Sequence, residues 1–356
     1  MKKILTIILV IILSLGTLFA QAVQETAVKE TIEFTDSAGR TVEIPKDIDR
    51  VAPSGAVATM FLSAFAPEKM CTVSGKASSA QMKYLPAELD ELPETGQLYG
   101  SKATLNLEEL LSSGAELVID LGDYKSTIKE DLDALQAQIG IPVIFIQADL
   151  PHMASAFRTL GKILSMEERG EAIGAFVDET ISMAAENKAK IKSDEVISVM
   201  YTSGTDGLGT NAKGSTQAQV LEIVGAENAI VVENISNKGG GNQINIESAM
   251  AADPDVILFA DDSIADEVAT LAGWKEMSAI KNGKYCTVPS LPYNWLANPP
   301  SMNMIIGVWW LGNLLYPEYY SYSMVEKIQE IYSLLWDYDL SDDEAKTMLK
   351  SAEFRK

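Results

Sequence analysis

Short apolar runs alternate with helix-spaced apolar positions along most of this chain. Val51-Ala52 leads into a helical pattern from about Ala56 to Phe65, and Met70–Val73 reads as a strand. The pattern then predicts a helix over Leu107–Ser113, a strand over Glu116–Leu121, a helix over Thr127–Ile139 and a strand over Val143–Ile146. Ahead of these, Ile32–Phe34 and Arg40–Ile44 alternate around Asp36-Ser37-Ala38-Gly39, the signature of a β-hairpin. Strands alternating with helices imply a mostly parallel sheet covered on both faces.

Residues 151–191 carry helical spacing and no strand signal. Ala154, Phe157, Leu160, Ile163 and Leu164 line one helix, and Ser165-Met166-Glu167-Glu168 matches a capping box that opens a second. Afterwards the alternation restarts. Strands are expected at Val196–Tyr201, Ile230–Val232, Val256–Ala260 and Tyr285–Val288. Helices are expected at Gln217–Val224, Ile246–Ala252, Met302–Leu315 and Met324–Tyr338, with a capping box at Ser341–Glu344 opening a terminal helix.

The restart is an internal repeat. The stretch from Asn106 to Asp123 aligns without a gap on that from Asn245 to Asp262, at a constant offset of 139 residues. Both copies open Asn-apolar-Glu and run through an apolar strand to an acidic residue. The expected organisation is a segment 1–22 removed on export, an N-terminal lobe 23–150, bridging helices 151–192, and a C-terminal lobe 193–356 that includes the terminal helices.

Composition narrows the setting. Lys2-Lys3, an apolar run from Ile4 to Ala20 and the small-x-small Ala20-Gln21-Ala22 form a secretory signal. No cysteine follows it for lipid attachment, so the expected product is soluble and periplasmic. A formal charge of −22 argues against nucleic acid or an anionic membrane as partner. Cys71 and Cys286 sit in separate apolar runs and read as two buried thiols. One histidine, His152, rules out a multi-histidine metal centre. No catalytic residue, metal ligand or cofactor is expected.

Clefts between lobes and loops after the carboxyl ends of strands are where small ligands bind. That rule nominates Ser54 and Gly55, Asp123 and Tyr124, and the loop from Gly204 to Thr216 with Gly209, Thr210 and Asn211. Gly207-Leu208-Gly209-Thr210-Asn211-Ala212 also fits a dinucleotide fingerprint, with Glu233 at ribose-binding distance. An exported nucleotide-dependent oxidoreductase is therefore the alternative from a different class. Against it, Lys213-Gly214-Ser215 delay the helix whose N-terminus would hold the pyrophosphate. Pro292–Ser301 is the most unusual stretch, and its Tyr293, Asn294 and Trp295 suit either a cleft mouth or a packed connection. Ser301 is expected to cap the following helix.

Several ordered segments resemble the substrate-binding proteins of iron-complex and vitamin B12 ABC importers. They are Thr35–Pro45 with Arg50-Val51, Asn106–Ile119, Leu221–Asn228, Glu247–Leu258, and Asn282–Tyr285 with Val288-Pro289. The resemblance implies two Rossmann-like α/β lobes joined by a long bridging helix, a monomer, and modest closure on a ligand. It also implies that Glu108 and Glu247 lie on the two lobes' outer faces, where they dock onto arginines of a permease dimer. Its ligands include ferric siderophores, haem, cobalamin and, in a subgroup, molybdate or tungstate. The 293–295 loop and the Leu315-Tyr316-Pro317 helix end are similar to that oxyanion-binding subgroup. The candidate loops lack arginine, which disfavours a multiply anionic chelate. Tyr99, Tyr124 or Tyr293 could serve as the axial ligand of a haem.

Overall fold

A computed structural model describes residues 30–99, 103–236, 241–260, 262–297 and 299–355. The export signal expected at residues 1–22 lies outside the described residues, and no described helix is long and apolar enough to cross a membrane.

A hairpin opens the described chain, with β1 (Thr31–Thr35) antiparallel to β2 (Thr41–Pro45). Asp36 fixes its turn. One carboxylate oxygen accepts from the amides of Ala38 and Arg40, and the other from Phe145 N at 3.2 Å. Arg40 pairs with Asp36 at 3.0 Å and donates to Val143 O. This buried pair pins the hairpin across the edge of the first sheet, whose backbone would otherwise present unpaired groups.

That sheet is parallel, in the order β3 (Val51–Pro53), β4 (Leu117–Gly122), β5 (Val143–Gln147). Met70 and Val73 add only isolated bridges instead of the expected strand. Around it lie α1 (Ala56–Phe65), α2 (Ser79–Met82), α3 (Leu107–Ser112) and α4 (Ile128–Ile139).

Two helices leave this lobe, α5 (Met153–Ile163) and α6 (Glu167–Lys188). The 22 residues of α6 span about 33 Å. Its Arg169 donates to Ala64 O on the first lobe, and its Thr180 accepts from the Trp309 indole of the second. The capping box expected at Ser165 does not form. The chain reverses within three residues, Ser165 takes a left-handed conformation (φ 56°), and Met166 occupies the N-cap without a side-chain bond. The two helices approach so closely that a Cβ on Gly170 would lie 2.7 Å from Phe157 O.

The second sheet holds β6 (Ser198–Ser203), β7 (Gly209–Thr210), β8 (Glu227–Asn228), β9 (Asn242–Gln243), β10 (Val256–Phe259) and β11 (Tyr285–Thr287). Strands β8, β6, β10 and β11 run parallel, whereas β7 is antiparallel to β6 and to β9. Around it are α7 (Gln219–Ile223), α8 (Ile246–Ala252), α9 (Asp262–Glu267), α10 (Ser278–Lys281), α11 (Met304–Leu315), α12 (Met324–Trp336) and α13 (Asp342–Lys350). The strand expected at Ile230–Val232 falls instead at Glu227–Asn228. Asn228 Oδ1 accepts from Ile230 N, and that turn takes the chain out of the sheet.

The repeat is structural. Asn106 and Asn245 each cap their helix through the side chain. Gly114 and Asp253, at the same offset, both leave the helix with positive φ. Strands β4 and β10 then begin at Leu117 and Val256, again equivalent positions.

The terminal helices do not stay on the second lobe. Tyr332 of α12 meets Tyr84 edge-on at 5.7 Å, and Glu344 of α13 pairs with Lys83 at 2.7 Å. Arg169 also bonds the carbonyls of Leu334 and Leu335. The capping box at Ser341 and Glu344 forms as expected. One apolar cluster accordingly runs from α1 through α5 and α6 into β6, α7, α11 and α12, with a smaller cluster on the far side of each sheet. A shared core of this kind resists large independent lobe motions.

Candidate functional site

Helix α1 starts directly after β3, so its N-terminus lies at the carboxyl edge of the first sheet. Gly55 occupies the N-cap, supplies no capping side chain, and no acidic residue follows in the first turn. The first amides of α1 therefore keep their positive end uncompensated. They border a cavity of about 350 Å³ between the lobes. Ala56, Thr59, Ser74, Lys76 and Gln97 line it from the first lobe, and Tyr293 and Pro299 from the second. No aspartate or glutamate is among its lining residues.

The polar groups here are held in place. Thr59 Oγ1 donates to Gly55 O and accepts from Ser74 N, both at 3.0 Å. Lys76 Nζ rests on the carbonyls of Asp90 and Leu92, while the backbone amide of Lys76 donates to Glu94. From the opposite side Tyr293 brings its hydroxyl within 3.4 Å of Ser63 Oγ. Burial pushes the Tyr293 hydroxyl up to about 12, so it stays protonated at neutral pH.

The loop that carries Tyr293 is a braced arch. Asn294 Oδ1 accepts from the amides of Leu296 and Ala297 and from the Tyr201 hydroxyl. Trp295 is fully buried, with its indole N–H on Leu291 O and its ring edge-on to Trp310 at 6.2 Å. Of the three residues singled out there, Tyr293 lines the cavity, Asn294 shapes the loop and Trp295 packs in the core. Asn298 lies outside the described residues. Ser301 does not cap α11, because its hydroxyl bonds Asn303 Oδ1 and Met60 Sδ, and Asn303 takes the N-cap position.

The other nominated residues fall into two groups. In the first lobe the Ser54 hydroxyl donates to Asp120, and Ser54 O accepts from Leu98 N beside Tyr99. Tyr99 lies under the Lys125 ammonium, 4.6 Å from the ring centre, and its hydroxyl is buried. Burial holds that hydroxyl far above its ordinary range, against a tyrosinate ligand. Asp123 sits 3.8 Å from Lys125, and Tyr124 is half-exposed against Phe145. In the second lobe Gly209, Thr210 and Asn211 are buried. Thr210 Oγ1 donates to Tyr201 O, and the Asn211 side-chain amide has no hydrogen-bond partner among the described residues.

This geometry removes the dinucleotide alternative. Gly207 and Gly209 belong to the β6–β7 hairpin, Ala212 is fully buried, and no helix opens at the glycines. A pyrophosphate would meet a strand turn instead of a helix N-terminus.

Sequence reasoning passed over two features. Ser74-Gly75-Lys76 follows the apolar Met70–Val73 run, so the loop rule that nominated Ser54 applies to it equally. Asp120 is hidden within an apolar strand. Its carboxyl is pushed up to about 6, chiefly by burial, while Lys125 and the Ser54 hydrogen bond pull the other way. The folded protein thus holds this proton more tightly than the unfolded chain does. The associated stability is present below about pH 4 and is lost as the pH rises through about 6, a change of about 3 kcal/mol. Asp120→Asn is expected to stabilise the protein by about 1–3 kcal/mol at pH 8 and by nothing at pH 3.5. Denaturant midpoints at the two pH values measure this, and a loss of stability at pH 8 would contradict it.

Both docking candidates are exposed at the first turn of their helices, Glu108 on α3 and Glu247 on α8. Cys71 and Cys286 are both free and buried, one in each lobe.

Residues 69–291 match the protein family described as "Periplasmic binding protein". The Fe(3+)-citrate-binding protein YfmC of Bacillus subtilis is 22% identical over 189 residues, 52% of this chain, and the chain spans 57% of that relative's length. Among solved structures, the ABC transporter solute binding protein from Sulfurospirillum deleyianum superposes with a TM-score of 0.81 at 25% identity, covering 89% of this chain and 99% of that one. Molybdate-bound MolA of Haemophilus influenzae superposes with a TM-score of 0.69 at 17% identity, covering 87% and 99%.

Proposed function

The chain belongs to the periplasmic binding protein family, and from that premise we propose that it is the solute-binding component of an ABC importer for a compact anionic metal species. The fold and family are those of substrate-binding proteins, not of enzymes. One observation carries the ligand class. In a protein of formal charge −22, one of the cavities between the lobes joins the uncapped N-terminus of α1 to Lys76 and has no carboxylate among its described lining residues. Helix N-termini and lysines hold anions. The volume of about 350 Å³ lies near the lower end of small-molecule sites and suits a small ion or chelate.

Within this class there are two readings, a ferric carboxylate chelate and a tetrahedral oxyanion such as molybdate or tungstate. YfmC is named for ferric citrate and MolA for molybdate. A lining with hydroxyls, one lysine and no arginine favours the oxyanion, because multiply charged chelates recruit guanidinium groups. The protein works in the periplasm, exported by its N-terminal signal, and delivers its ligand to a permease dimer through Glu108 and Glu247.

A thermal-shift panel tests the reading. Molybdate, tungstate, ferric citrate, ferric siderophores, haem and cobalamin are added separately to the purified protein. A ligand that binds the native state must raise its melting temperature. The expected result is a shift with molybdate, tungstate or ferric citrate. A shift with only haem or cobalamin would overturn the assignment.

A further inference from the structure

The repeat extends to surface positions that packing does not require. In α3, Leu107 and Leu110 face inward, and their counterparts at the 139-residue offset, Ile246 and Ala249 of α8, do the same. Those matches follow from each helix covering its sheet. The outward positions match as well. Three residues after Glu108, Leu111 is 50% exposed; three residues after Glu247, Met250 is 39% exposed. Positions i and i+3 share a helix face, so each lobe presents one carboxylate beside one bare apolar side chain. Neither glutamate has an ion-pair partner among the described residues. Large exposed hydrophobics are few on this surface, and these two occupy equivalent sites on different lobes.

We infer that Leu111 and Met250 are paired apolar anchors which, beside Glu108 and Glu247, seat the two lobes on a two-fold-symmetric membrane permease. The inference rests on the importer reading above. Two like patches on one chain fit a partner that presents the same surface twice, as a homodimer does. The partner patch must combine a cation for the carboxylate with an apolar recess for the leucine or methionine. Buried apolar side chains supply affinity at the centre of such contacts, while rim charges mainly set the encounter rate and orientation.

The test uses the full protein and its cognate permease–ATPase complex in lipid nanodiscs, with binding measured by biolayer interferometry at low and high salt. The Leu111→Ser/Met250→Ser double variant is compared with Glu108→Lys/Glu247→Lys. Circular dichroism and an unchanged melting temperature verify that both are folded. The apolar variant is expected to lose affinity by about ten- to a hundred-fold, and the loss should persist at high salt, where charge contributions are screened. Each single variant should lose a comparable share.

If the apolar variant binds like wild type while the charge-reversed one does not, the anchors are wrong and glutamate docking stands. If both bind like wild type, docking through these helices fails altogether. A wild-type dimer in sedimentation that the apolar variant disperses would assign the patches to a second copy of the chain and overturn the inference.

Discussion

Reversing Glu108 and Glu247 together to lysine is expected to abolish solute uptake while leaving affinity for the solute in solution within about two-fold of wild type. Both carboxylates are exposed, both sit on helices capped by an asparagine side chain, and neither lines the inter-lobe cavity. A lysine in the first turn opposes the helix dipole at about 0.3–1 kcal/mol per site, too little to unfold the protein. Against a cationic permease surface the same change turns attraction into like-charge contact, which costs several kcal/mol. Uptake into proteoliposomes carrying the importer, together with calorimetric titration of the free protein, separates the two effects. Normal uptake by the double variant would remove the docking role. Lost affinity in solution would mean that these helices communicate with the cavity.

The second large effect is expected from Gly307→Ala in α11. An added methyl would lie 2.1 Å from Trp295 O and 3.0 Å from its carbonyl carbon, so helix and arch must separate. The arch has little freedom to move, since Asn294 is bonded to Tyr201 and Trp295 is packed against Trp310. Alanine in a helix interior is ordinarily favourable by about 1 kcal/mol over glycine. Overpacking at this contact should reverse that sign and destabilise the protein by about 2–3 kcal/mol. Because the same loop carries Tyr293 into the cavity, ligand affinity should fall as well. Denaturant unfolding and ligand titration check both, and a stabilised variant with unchanged affinity would show that the arch does not position the site.

Where a periodic pattern was long and uninterrupted, the chain was legible before its structure. The hairpin around Asp36, helix α1, strands β4 and β5, and the gapless repeat all sit where apolar spacing puts them, because local preference and burial agree there. The capping box at Ser165 was misleading for a physical reason. A three-residue reversal between two tightly packed helices forces Ser165 to positive φ, and tertiary packing overrides a local motif. The same holds for Ile230–Val232, where a side-chain turn at Asn228 outcompetes β-branched propensity.

The site was less legible. Ser54 and Asp120 are far apart in sequence, and an aspartate within an apolar strand gives no periodic signal. Tyr293, Asn294 and Trp295 are consecutive, yet they divide among cavity wall, loop brace and core. That division depends on what α11, β6 and α12 bring against the arch, and the local sequence does not contain it. The glycine fingerprint near Gly207 failed for the converse reason, since its spacing was right and its context was a hairpin.

The most direct test of the central claim is calorimetric titration of molybdate, tungstate and ferric citrate into wild-type protein and into Lys76→Met. Tight binding of one of these anions by wild type is expected, with affinity reduced about ten-fold or more when Lys76, one of the residues lining the cavity, loses its charge. Equal affinity in the two proteins, or no binding of any of the three anions, would contradict it.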